Sequence, residues 1–239
     1  MRGHPWVSVV VATRNQGRFL KRCLDSLLLQ SLERRRYEIL VVNDGSTDST
    51  RAILEGYGGL IVPIHLKRHR GLAAACNEGL ERACGEYFVR VDSDDWLDQE
   101  ALAEELKACE SRDDSGFLLP DYWEVRAGGR VRKRPDLTNV YSWIAAGSLM
   151  RRAEVQRLGG YRPLFWEEAD LYLRLLEAGS RPVHLPVPVL FYRRHGGSMT
   201  SNRDARLRGW RELAAMWPRD ILSAYGSHRE LESIFHGQN

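Results

Sequence analysis

The sequence predicts an α/β fold: a mostly parallel central sheet flanked by helices, followed by a C-terminal helical extension. Three observations predict it. Apolar, β-branched runs alternate with segments of helical period through the first half of the chain. Two of those runs end on aspartates. The alternation stops in the second half, and the last stretch turns helical and amphipathic. Strand–helix alternation at this spacing implies parallel strands joined by right-handed crossovers.

The elements follow in order. Trp6 to Ala12 is an apolar run suited to a buried strand. Gly17 to Leu29 places Phe19, Leu20, Cys23, Leu24, Leu27 and Leu28 at helical spacing. Tyr37 to Val42 is a second strand, running into Asn43-Asp44-Gly45; Thr47 to Leu54 is a short helix and Leu60 to Leu66 a third strand. Gly71 to Ala83 is a helix of small residues, Glu86 to Val91 a fourth strand ending at Asp92, and Asp98 to Cys109 a helix with Asp98 as its N-cap. Tyr122 to Arg134 reads as a hairpin around Ala127-Gly128-Gly129. Arg151 to Leu158 and Glu167 to Ala178 are helical, and Val183 to Tyr192 is strand-like. Pro186 and Pro188 restrict that last run to an edge or an irregular piece. Arg203 to Phe235 is the helical tail; Leu207, Trp210, Leu213, Ala214 and Trp217 pack it on the domain or lay it against a membrane surface, and packing is the expectation.

Of 239 residues, 43% are hydrophobic and 28% charged, ordinary for a globular chain and enough for one substantial core or two small ones. This excludes a disordered tail, a collagen-like chain and a disulfide scaffold. No apolar run approaches the roughly 20 residues a membrane span needs. Met1-Arg2-Gly3-His4-Pro5 leads directly into a strand, so no signal peptide and a cytoplasmic location are expected. Cys23, Cys76, Cys84 and Cys109 form no CxxC pair, which argues against zinc; all four fall in helix-like segments and are expected as buried free thiols. The net charge is +3, and only Lys21, Lys67, Lys107 and Lys133 are not arginine among the basic residues. The densest basic cluster, Arg126, Arg130, Arg132, Lys133 and Arg134, reads as a solvated hairpin, so nucleic acid is not an expected partner.

In parallel sheets, ligands bind beyond the carboxyl ends of the strands, and here two strands deliver Asp44 and Asp92 to that edge. Asp92-Ser93-Asp94-Asp95 puts three carboxylates in four residues, which repel one another unless a cation sits among them; oxygen ligands of this kind suit Mg²⁺ or Mn²⁺. The same acids also favour the N-terminus of a following helix. Asp44-Gly45 closes a strand with a tight turn and offers a carboxylate to a ribose or base edge. Gly71, Ala73, Ala74 and Ala75 permit close backbone approach at a helix N-terminus that attracts anions, with Arg70 beside it.

Taken together, Val7 to Thr50, the Gly71 to Gly79 stretch and Asp92-Ser93-Asp94-Asp95 resemble family 2 glycosyltransferases of the GT-A fold, a Rossmann-like architecture, over about residues 6 to 200. The resemblance implies a metal-dependent inverting transfer from a nucleotide-diphosphate sugar, most often a UDP-sugar, to a hydroxyl on a glycan or lipid-linked acceptor in cell-surface polysaccharide or glycoconjugate assembly. It implies a donor site of Thr13, Arg14, Asn15, Asp44, Arg70, Gly71, Asn77, Asp92 and Ser93, and a Mn²⁺ or Mg²⁺ ion held by Asp92, Asp94 and His195, with Arg194 at the diphosphate. Trp166-Glu167-Glu168-Ala169-Asp170 resembles the family's acidic motif, whose second acid is the catalytic base. This places Glu168 in that role, with Glu167 the alternative in register and Asp170 a further carboxylate. Tyr161 and Trp166 are expected in the acceptor wall by position. Residues 1–202 are read as the catalytic domain, with a nucleotide-sugar half to about 98 and an acceptor half to 202, and 203–239 as the extension. A sugar-phosphate nucleotidyltransferase and a non-catalytic sugar-nucleotide module are the competing readings. The first normally carries a GxGxR-like loop, which Val11-Ala12-Thr13-Arg14-Asn15 lacks; only the Glu-Glu pair favours the second.

Overall fold

The computed structural model describes residues 6–110 and 116–236. In its first sheet, β1 (Val7–Thr13) pairs in parallel with β2 (Tyr37–Asn43) and β4 (Tyr87–Asp92). The strand β3 (Val62–His65) adds in parallel to β2, and β8 (Leu149–Arg151) adds antiparallel to β4. The order is β3-β2-β1-β4-β8. A second sheet, β5-β9-β6-β7, joins β5 (Trp96–Leu97), β9 (Pro182–Arg193), β6 (Phe117–Arg126) and β7 (Gly129–Lys133). The helices are α1 (Gly17–Leu28), α2 (Thr50–Gly56), α3 (Leu72–Arg82), α4 (Ala101–Glu110), α5 (Arg152–Arg157) and α6 (Glu167–Glu177). They are followed by α7 (Arg203–Met216), α8 (Arg219–Ala224) and α9 (Arg229–His236).

The central strand β1 is buried along its whole length, and its period-two alternation divides the core. Val7, Val9 and Val11 join a cluster with α1 and α4, whereas Val10 and Ala12 join one with α3, α6 and the C-terminal helices. The small residues of α3 are explained by this packing. A Cβ on Gly79 would run into Val10 Cγ1, so the helix lies close on β1 and its N-terminus stands next to the strand tips.

Several expectations are corrected. The Thr47 helix begins at Thr50, because Asp48 Oδ1 takes the Thr50 N–H at 3.0 Å. Asp98 does not head α4 directly; its carboxylate accepts the Glu100 N–H at 3.1 Å, one turn before the helix. Cys84 is exposed and follows α3, and Cys109 is half-buried, leaving Cys23 and Cys76 as the buried thiols. One expectation holds: the proline-bearing part of β9 is irregular and has a strand neighbour on one side only. It accommodates Pro186 and Pro188 by a bulge, since Pro120 faces Leu185 while Asp121 faces Pro188, and β5 pairs only with Leu190 and Phe191. Among the described residues the tail forms three helices, and Trp210, Leu213, Leu222, Leu231 and Phe235 are buried in the α3–α6 core. Among the described residues, no helix is long and apolar enough to cross a membrane.

Candidate active site

Thr13 pairs with Asn43 and Ala12 with Asp92, so the tips of β1, β2 and β4 lie level. Over them opens a cavity of ≈530 Å³ lined by Thr13, Arg14, Asp44, Gly71, Asp92, Ser93, Asp94 and Glu168. Asp44 is buried and its carboxylate is fully engaged. It accepts His69 Nδ1–H at 2.7 Å, the Arg70 N–H at 2.7 Å and the Gly71 N–H at 2.9 Å. Gly71 turns this corner at φ +93°, in the left-handed region that a side chain resists. Asp44 thus anchors the loop before α3 and holds the His69 ring in the cavity wall.

The acidic segment after β4 is spread over three partners. Asp92 Oδ1 accepts from Arg90 Nε at 2.8 Å. Asp94 Oδ2 lies 2.8 Å from His195 Nε2. The Gly197 N–H donates to His195 Nδ1 at 3.2 Å, which leaves Nε2 to carry the proton toward Asp94. Asp95 is buried; its Oδ1 accepts the Arg193 N–H at 2.7 Å while its Oδ2 has no partner. Burial, then the neighbouring Asp92 and Asp94 charges, hold the Asp95 carboxyl well above the usual range. Among the described residues, no group of three or more His, Cys, Asp or Glu side chains forms a ready metal cluster. Asp92 is turned to Arg90, and only Asp94 and His195 of the expected triad come together.

Arg90 is the residue that the reading of the motifs missed. Its signal was a charge in the middle of the apolar run Phe88-Val89-Arg90-Val91, which must find partners if buried. It finds two: Asp92, and Glu167 Oε1 at 2.9 Å. Glu167 is therefore buried in an ion pair. Its neighbour Glu168 is half-buried and lines the cavity. Burial first, then the adjacent Glu167 charge, push the Glu168 carboxyl well above the usual range, against a smaller opposing pull from Arg90.

A second cavity, of ≈580 Å³, adjoins the first and shares Glu168, Tyr192 and Thr200 with it. Trp166 and Arg194 line this second space. Arg194, expected at the diphosphate, instead lies 3.3 Å from Thr200 Oγ1 and 3.8 Å from Glu124; the neighbouring Arg193 lines the first cavity in its place.

Other expected site residues serve the scaffold. Asn15, at φ +52°, ties two loops by accepting the Thr47 N–H at 2.8 Å. The Arg70 side chain pairs with Glu78, leaving only its backbone at the site. Asn77 exchanges two 2.8 Å hydrogen bonds with the Tyr161 backbone, docking the Gly159-Gly160 turn on α3. Tyr161 itself is buried beside Phe88, with no open face for an acceptor. Asp170 is wholly buried and held by Arg174 at 2.8 Å, Arg162 at 3.2 Å and Trp217 Nε1 at 3.0 Å, away from both cavities.

Comparisons with known proteins bear on this geometry. The profile of the family described as Glycosyl transferase family 2 matches residues 8–158. EpsE of Bacillus subtilis (strain 168), named as a glycosyltransferase, is 31% identical over 202 residues, covering 77% of this chain and 72% of EpsE. EpsH of the same organism, also named as a glycosyltransferase, is 35% identical over 121 residues, 49% of this chain, and the match spans only 34% of EpsH. Among solved structures, residues 1–349 of Staphylococcus aureus TarS in complex with UDP-GlcNAc superpose with a TM-score of 0.74 at 21% identity, covering 92% of this chain and 71% of that one. The mannosyltransferase PcManGT of Pyrobaculum calidifontis, in complex with GDP-Man and Mn²⁺, gives 0.69 at 18% identity, covering 99% of this chain and 69% of that one. At these identities the structural likeness establishes the fold, which is GT-A.

Proposed function

The chain belongs to glycosyl transferase family 2, and from that premise we propose that it transfers a sugar from a nucleotide-diphosphate sugar to a hydroxyl of a saccharide acceptor, with inversion, in cell-surface polysaccharide or glycoconjugate assembly. One observation carries the reading: Glu168 stands where the two cavities meet. Donor in the first and acceptor in the second would bring their reacting atoms together at this carboxylate.

The donor lies over the strand tips, its nucleoside toward Asp44 and His69 and its diphosphate toward Asp94 and Arg193. A UDP-sugar is the first choice, supported by the fold shared with TarS, which binds UDP-GlcNAc. The acceptor oxygen attacks the anomeric carbon on the face opposite the diphosphate. A new C–O bond forms as the bond to the phosphate oxygen breaks, and the hydroxyl proton passes to Glu168. Its raised pKa makes Glu168 a stronger base than an ordinary carboxylate. Arg90 holds Glu167 in a buried ion pair, which leaves Glu168 as the acid open to both spaces.

The donor set fits a divalent ion. Asp94 and His195 bring an oxygen and a nitrogen within 2.8 Å; an ion entering between them would displace the Nε2 proton that now joins them, as imidazole ligands bind metals in deprotonated form. Burial and the crowding of Asp92 and Asp94 raise the Asp95 pKa, a mutual repulsion that a bound cation would relieve. Asp94 and His195 would hold Mn²⁺ or Mg²⁺, which supplies charge neutralisation for the departing nucleoside diphosphate.

Thermal-shift measurements with UDP-, GDP- and dTDP-sugars in Mn²⁺ test the proposal, because a bound donor raises the melting temperature. One nucleotide class is expected to raise it and to be slowly hydrolysed without acceptor. No shift and no hydrolysis with any of them would overturn the reading.

A further inference from the structure

The lining of the second cavity has a charge pattern that the transfer reaction alone does not require. Resting on the function proposed above, we infer that this cavity takes an acceptor carrying a negative charge, a phosphodiester or a uronic carboxylate, and that α7, α9 and the end of β9 supply its recognition.

Under the cavity the fully buried Trp210 is covered by Trp166, His228 and Tyr141, whose half-buried rings line the space. Trp210 lies 4.6 Å from Trp166, 4.3 Å from His228 and 5.5 Å from Tyr141, centroid to centroid. Burial holds the His228 imidazole below its usual pKa, so it serves as a neutral face at pH 7. Such faces take the apolar side of a sugar ring, with a few polar groups fixing its orientation. Trp166 lines the cavity, and its Nε1–H is buried with no partner.

Three guanidiniums line the walls, from Arg194, Arg206 and Arg229, against two carboxylates besides Glu168, those of Glu124 and Glu230. The carboxylates are already committed. Glu230 accepts from Arg206 at 3.2 Å and from Trp210 Nε1 at 3.0 Å. Glu124 is paired with Arg126 at 2.9 Å, and Arg194 reaches it only at 3.8 Å. Arg229 has no ion-pair partner among the described residues. Arg229 therefore faces the cavity with no carboxylate of its own, and Arg194 has only a share in Glu124, which Arg126 holds more closely. The neighbouring cavity concentrates carboxylates and would receive a diphosphate, a field that repels anions; Arg194 and Arg229 reverse it locally on the acceptor side.

The test uses the full chain with UDP present and no sugar donor, so that binding is read without turnover. Calorimetric affinities are measured for three probes, at low and high salt: a glycerol-phosphate trimer, a galacturonic acid trimer and a neutral glucose trimer. At least one anionic probe is expected to bind more tightly than the neutral one and to weaken with salt; which of the two binds separates phosphodiester from carboxylate. Arg229→Ala, at an exposed position, is expected to weaken that binding about 2- to 5-fold, and Arg229→Glu about tenfold or more, while acceptor-free hydrolysis of the sugar nucleotide stays unchanged in both. Equal or tighter binding of the neutral trimer, binding of none of the three, or anionic affinities untouched by both substitutions would overturn the inference. Failure of the donor reading looks different: wild type hydrolyses no sugar nucleotide, yet the anionic probe still binds in an Arg229-dependent way.

Discussion

Glu168 occupies a position unfavourable to its ionised form. Burial and the neighbouring Glu167 charge favour its protonated form, so the folded chain holds that proton to a higher pH than the unfolded chain does. The sign for stability follows: folding is favoured below the ordinary glutamate pKa, and this contribution is lost as pH rises through the raised value. The sign for activity is opposite, because proton abstraction needs the ionised form. The acid limb of kcat/KM is therefore expected well above the usual glutamate range. Glu168→Gln should keep donor binding, lower kcat by about 10²-fold or more, and melt above wild type at neutral pH. A variant that turns over at the wild-type rate would move the base elsewhere. A destabilised acid at the proposed reaction centre is the form that a trade between stability and activity commonly takes.

At the scale of elements, α6 presents Glu168 because its other face is locked. Asp170, two residues on, joins Arg174, Arg162 and Trp217, and Arg174 also caps the Leu158 and Gly160 carbonyls at 2.8 and 2.7 Å. This knot ties α6, the Gly159-Gly160 turn and the end of α7 together. Asp170→Ala strands the buried Arg174 and is expected to cost about 3–5 kcal/mol in denaturant unfolding; a loss under about 1 kcal/mol would show that the knot is slack. In sequence, an acid in the first turn of a helix looks the same whether it faces a groove or a core, so Asp170 read as catalytic. Tyr161 misled in the same way, since its burial depends on Asn77, 84 residues away. The strand tips, by contrast, were legible, because apolar runs ending on Asp44 and Asp92 leave few ways to place those residues. The exchange of Arg194 for Arg193 is a matter of strand register, where one residue changes the face, and the proline bulge in β9 shifts the count.

Across the whole molecule the net charge of +3 conceals a division. The rim of the first cavity gathers Asp92, Asp94, Asp95, Glu167 and Glu168, answered locally by the buried Arg90 and by Arg193, whereas the second cavity carries Arg229 without an ion-pair partner among the described residues and Arg194 sharing Glu124 with Arg126. A nucleoside diphosphate brought to that rim adds further negative charge, and Arg14 and Arg193 are the guanidiniums lining the open part of the cavity. Donor affinity should therefore depend on a divalent cation more steeply than fold stability does. In Mn²⁺ the chosen donor is expected to raise the melting temperature, and EDTA should abolish most of that rise while leaving the melting temperature of the donor-free protein nearly unchanged. Asp94→Ala should behave in Mn²⁺ as wild type does in EDTA, with transfer lost. His195, freed from Asp94 in that variant, still packs against Phe19, ring centroids 4.9 Å apart, so the loop it belongs to keeps an anchor and the loss reads as charge, not unfolding. Near-normal transfer in EDTA would remove the cation from the proposal and leave Arg14 and Arg193 to neutralise the leaving group alone.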